Sequence, residues 1–261
     1  MTRQLDFLNT LVAEGRTEFT FQDAVHLMSA SPPATANALN RLTRTGLVDR
    51  VVRGRYAIRP LGSLGTTAVS EDLALAVGAA FDGQLHRIAY RSALSEHDLL
   101  THPVRTVYVA CEKHVGFSHV SGRPLRVVVE RPETIHLDVE AVAHSWRSTL
   151  ERSFLESAMR VDLAGGVERL AEALARGANK VDSVRITKLA NNFGARGFAA
   201  ERRLASLARA LDIPLLLDPL VGTNKPLILL EPRDPRDVWI DKTFRVAWNV
   251  SVDELKAVIE N

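Results

Sequence analysis

Residues 31–59 read SPPATANALNRLTRTGLVDRVVRGRYAIR, and their punctuation decides how the first part of the chain folds. Ser31 is a residue type that caps helices, Pro32 and Pro33 suit a first turn whose N–H groups have no partner, and Gly46 closes the helix. Within it, Ala36, Leu39 and Leu42/Thr43 are expected to face a core. That phase leaves Ala34, Thr35, Asn37, Ala38, Arg41 and Arg44 on the outer face. Residues 47–52 (LVDRVV) then read as a strand, Arg53-Gly54 as a tight turn and residues 55–59 as the returning strand.

Working outward, residues 3–14 place Leu5, Leu8, Leu11 and Val12 at helical spacing before Gly15. A second helix follows, with Thr20 as its N-cap and Ala24, Val25, Leu27 and Met28 as its apolar face. Helix, short helix, helix and basic hairpin is the order of a winged helix-turn-helix. A helix fits the major groove of B-DNA, and short side chains let its first turns approach base edges. Asn can bond adenine through two hydrogen bonds and Arg can do the same with guanine. The candidate DNA-binding residues are therefore Ser31, Thr35, Asn37, Ala38, Arg41 and Arg44 on the helix. Arg53 and Arg55 at the hairpin tip join them, placed for phosphates or the minor groove.

The charge distribution agrees with that reading. The 261 residues carry a formal net charge of only +2, but residues 31–60 hold six Arg against one Asp. Such a block on a small module is an electrostatic footprint for phosphate. Hydrophobic residues make up 46% of the chain and charged residues 25%, which excludes collagen-like and wholly disordered classes. A single cysteine, Cys111, excludes an internal disulfide framework and suits a reducing cytoplasm. The apolar runs are too short to span a bilayer, and no secretory signal is legible, so no membrane partner is expected.

Residues 62–70 (GSLGTTAVS) are small and polar, which divides the chain into a DNA-binding domain at 1–62, a linker at 63–70 and a C-terminal domain at 71–261. In the latter, residues 104–110, 125–130 and 134–139 read as strands, and residues 150–211 as several helices. The first of those helices opens on a capping-box pattern at Ser148, and Gly165-Gly166 breaks the run. Late strands are expected at 227–230 and 244–250, with a terminal helix at 252–259. The class is α+β, a winged helix-turn-helix followed by a larger mixed domain. Residues 180–209 hold seven basic side chains against two acids, a second basic surface that includes Lys188, Arg196, Arg202 and Arg203.

Catalytic patterns are sparse. Cys111 lies near His114 and His119 but ends an apolar strand, as a core cysteine does. Asp138 and Glu140 share a strand face without a third metal ligand, and the only Glu-x-Lys, at Glu254 and Lys256, falls in a helix. Neither a phosphate-binding glycine loop nor a His-Glu-x-x-His pair occurs. The expectation is no enzymatic activity, no metal and no cofactor.

The winged-helix start, Ser92-Ala93-Leu94, and above all residues 148–174 (STLERSFLESAMRVDLAGGVERLAEAL) resemble the AbiEi antitoxins of bacterial abortive-infection systems. Residues 201–211 and the ending Val246-Ala247-Trp248-Asn249-Val250 support the likeness, which runs over nearly the whole chain. Ser153 and Glu156 depart from the family's usual Thr and Asp. The resemblance implies binding to inverted repeats upstream of the operon, autorepression, and neutralisation of a nucleotidyltransferase-like toxin through the C-terminal domain. Two other classes fit the residues: a ligand-sensing transcription factor with residues 71–261 as sensor, and an enzyme carried by a DNA-targeting module.

Overall fold

The chain is seen in a computed structural model that describes residues 2–59, 73–219, 226–232 and 238–260. It is a mixed α+β protein with two compact units. The first comprises Met1–His86, Arg105–Ile135 and Ala141–Trp146; the second comprises Arg87–Val104, His136–Glu140 and Arg147–Asn261. This grouping differs from the division expected at 62–70, and the linker assigned to 63–70 lies outside the described residues.

In the first unit α1 (Thr2–Ala13), β1 (Glu18–Thr20), α2 (Phe21–Met28), α3 (Pro32–Arg44), β2 (Val48–Val52) and β3 (Arg55–Ile58) follow in order. The three strands form an antiparallel sheet in the order β1-β3-β2. Local chemistry explains the boundaries. Thr20 caps α2 through a reciprocal capping box with Asp23, and Ser31 stands at the N-cap of α3 with prolines in the first turn. Gly46 (φ +68°) and Gly54 (φ +82°) take left-handed conformations after α3 and at the hairpin turn, where a Cβ is disfavoured. Phe7, Leu11, Phe19, Leu39, Leu42, Val48 and Tyr56 close the core between helices and sheet. Phe7 meets Phe19 edge-on at 5.0 Å, and Phe19 stacks on Tyr56 at 5.5 Å.

The rest of this unit explains why it extends past the hairpin. α4 (Leu73–Phe81) is apolar on every side and buried throughout. Gly78 lets it approach the His144 carbonyl so closely that an added Cβ would stand 2.5 Å from the oxygen. β5 (Val107–Cys111) runs parallel to β7 (Arg123–Val129), and β6 (His119–Val120) pairs antiparallel with β7. The Val51 carbonyl accepts the Ser121 N–H at 2.9 Å, and the Thr17 hydroxyl lies 3.0 Å from His144 Nε2. The basic hairpin is thus bonded to residues distant in sequence. The strand expected at 134–139 is instead a helical turn, α6 (Pro132–Ile135), followed by β8 (Val139–Val142), because Pro132 starts a turn rather than a ladder.

β4 (His86–Ile88), β8 and β9 (Ser145–Ser148) carry residues of both units, and Ile88 pairs in parallel with Arg147. In the second unit α5 (Tyr90–Glu96), α7 (Leu150–Met159), α8 (Val161–Ala164), α9 (Val167–Gly177), α10 (Ser183–Asn192) and α11 (Gly194–Ala210) surround one core. A small sheet, β10 (Ile228–Leu229), β12 (Val246–Trp248) and β11 (Trp239–Asp241), and the last helix α12 (Val252–Glu260) complete it. The cap of α7 is Thr149, one residue beyond the expected Ser148, because the Ser148 hydroxyl is spent on Glu156 at 2.8 Å. Cys111 is fully buried and donates to the Lys113 carbonyl at 2.7 Å; burial pushes its thiol pKa up.

Candidate nucleic-acid interface

α3 presents a different face from the one its sequence predicts. Thr35 (0% exposed) and Ala38 (6%) are buried with Leu39 and Leu42, so these two candidates are withdrawn from the DNA-contacting set. The stripe runs 35, 38, 39, 42, which is the helical repeat that Leu39 and Leu42 impose. Ser31, Ala34, Asn37, Asn40, Arg41 and Arg44 face outward. Asn40 is a polar residue that the misphased stripe concealed. Ser31 makes no side-chain cap bond. With its amide oriented to satisfy both groups, Gln4 accepts from Arg41 Nε and Nη2 at 3.2 and 3.0 Å. The Thr35 hydroxyl oxygen has no hydrogen-bond partner among the described residues.

A buried hydroxyl without a partner costs more than the methyl that could replace it. Thr35→Val is therefore expected to stabilise the protein by about 1 kcal/mol and leave DNA affinity unchanged. Chemical denaturation and a DNA titration check this together. A loss of DNA affinity would return Thr35 to the interface.

The arginines of the hairpin divide sharply. Arg53 is exposed at the tip, and Arg50 is exposed on β2. Together with Phe117, Ser118 and His119 they line an open cleft of about 330 Å³, which adds Arg50 and His119 to the basic surface. Arg55, expected at the tip, turns inward: it donates to the Ala79 carbonyl at 3.1 Å and ion-pairs with Asp82 at 3.1 Å. Arg59 is buried against Asp49 at 2.7 Å. Three of the six arginines accordingly have partners within the chain: Arg55 and Arg59 are charge-paired with Asp82 and Asp49, whereas Arg41 meets the neutral Gln4 amide and keeps its charge. Arg44, Arg50 and Arg53 remain outward-facing without an ion-pair partner among the described residues.

Arg55 borders a small cavity of about 210 Å³ that also holds Arg16, Glu18, Asp23 and Asp82. Burial, reinforced by the negative charge of Asp82 and opposed by Arg55, pushes the Glu18 pKa up to about 7. The folded state then binds a proton that the unfolded chain releases near its ordinary value of 4.5. The Glu18 contribution to stability is present below that value and is lost as pH rises to about 7. Glu18→Gln should match the wild type at pH 4.5 and exceed it by about 1 kcal/mol at pH 7.5, solvent screening being allowed for. Melting curves at both pH values check this, and an equal effect at both would refute it.

The second basic surface contracts. Lys188 and Arg196 are exposed, but Arg202 (2% exposed) and Arg203 (7%) are structural. Arg202 donates to the carbonyls of Phe244, Pro226 and Arg245 at 2.7, 3.0 and 2.6 Å, and Arg203 to those of Leu229 and Ala158 at 2.8 and 3.0 Å. They tie α11 to the small sheet, supplying donors to backbone carbonyls on and beside its strands. Burial beside Arg202 lowers the Arg203 pKa to about 10. Arg185 is held by Asp138 and Glu151, and Glu140 by Arg147, so both carboxylates weighed as metal ligands carry guanidinium partners.

The resemblance segment builds a buried polar knot. Glu156 (1% exposed) accepts from Arg87 at 2.5 Å, from the Tyr90 N–H at 2.7 Å, from Ser148 at 2.8 Å and from Arg152 at 3.4 Å. Tyr90, at the start of α5, has φ +51°, a conformation that its bond to Glu156 helps to hold.

No family model matches the chain, and no curated protein matches it. Among solved structures it is similar to the RV2827C protein from Mycobacterium tuberculosis, with 16% identity and a TM-score of 0.68 over 100% of this chain and 96% of that one. At that identity the likeness is one of fold. No helix among the described residues is long and apolar enough to cross a membrane.

Proposed function

We propose that the chain is a double-stranded DNA-binding regulator whose α1–β3 segment is a winged helix-turn-helix. The observation that carries this is the outer face of α3, where Asn37, Asn40, Arg41 and Arg44 project from a helix locked by Thr35, Ala38, Leu39 and Leu42. Asn and Arg are the side chains that read adenine and guanine edges, and Arg50 and Arg53 supply phosphate contacts from the hairpin. The resemblance to AbiEi antitoxins extends the reading. The chain represses its own operon at inverted repeats, has no enzymatic activity, and counteracts a nucleotidyltransferase-like toxin encoded beside it. Co-expression with the neighbouring gene product tests the antitoxin half: growth rescue by the full chain is expected, and persistent toxicity with abundant folded protein would refute it.

A further inference from the structure

We propose that a cleft between α1 and the C-terminal half of α3 is a binding site for a small aromatic carboxylate, and that its occupation competes with DNA. The second clause rests on the DNA reading; the first does not.

The cleft has a volume of about 420 Å³, within the range of small-molecule pockets. Leu5, Leu42 and Leu47 give it an apolar floor, with Leu5 43% exposed. Arg41 and Arg44 stand at the rim, and no acidic side chain lines the site among the described residues. Thr45 turns its hydroxyl back onto the Arg41 and Leu42 carbonyls at 3.0 and 3.1 Å, which leaves the guanidinium groups as the charged element and the Gln4 amide as the neutral polar one. Arg41 is held in position by Gln4, whereas Arg44 has no bonded partner among the described residues. An apolar slot with a planar cationic fork at its mouth fits a flat ring bearing one carboxylate, which guanidinium binds through two parallel hydrogen bonds.

Arg41 and Arg44 are also the cations that α3 offers to DNA. A carboxylate seated on them removes charge that phosphate or a guanine edge requires. By reciprocity, DNA weakens the acid as much as the acid weakens DNA.

Isothermal titration of the full chain with naphthalene-2-carboxylate, and with its neutral carboxamide, tests the site without DNA. The carboxylate is expected to bind one per chain and about tenfold more tightly than the carboxamide, the charge-assisted pair making the difference. Arg44→Gln should abolish that preference. Leu5→Gln, an exposed change outside the DNA-contacting residues, should weaken both ligands while DNA affinity holds. Equal affinities for the two ligands, no binding at millimolar concentration, or an unaffected Leu5→Gln variant would overturn the site. In a DNA titration, saturating carboxylate should weaken the complex about tenfold and the carboxamide should not. Carboxylate binding without that loss would overturn the competition, and carboxylate binding by a chain that binds no DNA would overturn the DNA reading alone.

Discussion

Glu156→Ala is expected to destabilise the protein by about 3–5 kcal/mol, a large share of the total stability of a domain. The carboxylate is the shared anion between Arg87 and Arg152, which are 0% and 1% exposed. Removing it takes a shared acceptor from two buried guanidinium groups, from the Tyr90 N–H and from the Ser148 hydroxyl. The damage exceeds the worth of any one bond, because several buried donors lose their common charged acceptor at once. Glu156→Gln keeps an acceptor oxygen but not the charge, so it should fall between the two. Urea denaturation of the three proteins checks the order. A Glu156→Ala variant as stable as the wild type would mean that the knot is not what holds α5 against α7.

The sequence displays the importance of residues 148–174 but not this arrangement. Arg87 and Tyr90 lie in short elements, β4 and α5, whose three and seven residues carry no readable periodicity. Their meeting with Glu156 spans more than sixty positions. Arg202 and Arg203 mislead for the same reason: as sequence they are charge, and only the carbonyls of Pro226, Leu229, Phe244, Arg245 and Ala158 turn them into bracing. Local punctuation fares better. Thr20, Ser31, Pro32, Gly46 and Gly54 stop and start elements where their backbone chemistry places them. The phase of α3 is an intermediate case. Taking Ala36 as a core position rotates the stripe, exposes Thr35 and Ala38 and hides Asn40. Counting back four residues from Leu39 and from Leu42 gives Thr35 and Ala38 and so recovers the observed face.

Changing Asn37, Arg41 and Arg44 together to Ala is expected to lower affinity for the operator by about a hundredfold or more, since each base contact is worth roughly 1–3 kcal/mol. All three side chains are exposed, so the melting temperature should hardly move. On the proposed antitoxin reading, the variant should still rescue cells from the product of the neighbouring gene when both are expressed from unrelated promoters. That outcome separates repression from neutralisation; a folded variant that also fails to rescue would join them. Reversing charge at Lys188 and Arg196, which are exposed where Arg202 and Arg203 are not, asks in the same assay whether the remaining second basic surface serves neutralisation.

If the outward arginines of the N-terminal hairpin meet phosphate as proposed, DNA binding must depend on salt. Fluorescence anisotropy of a labelled duplex from upstream of the gene, titrated with full-length protein over a series of salt concentrations, gives the slope of log K against log salt. Phosphate contacts by Arg50 and Arg53 predict a slope of about −2 per chain, since each neutralised phosphate contributes about −0.9. Arg53→Ala should make it shallower by about 1 on upstream and random duplexes alike. A slope that stays near zero, or no complex with either duplex, would overturn the phosphate contacts and with them the DNA-binding reading.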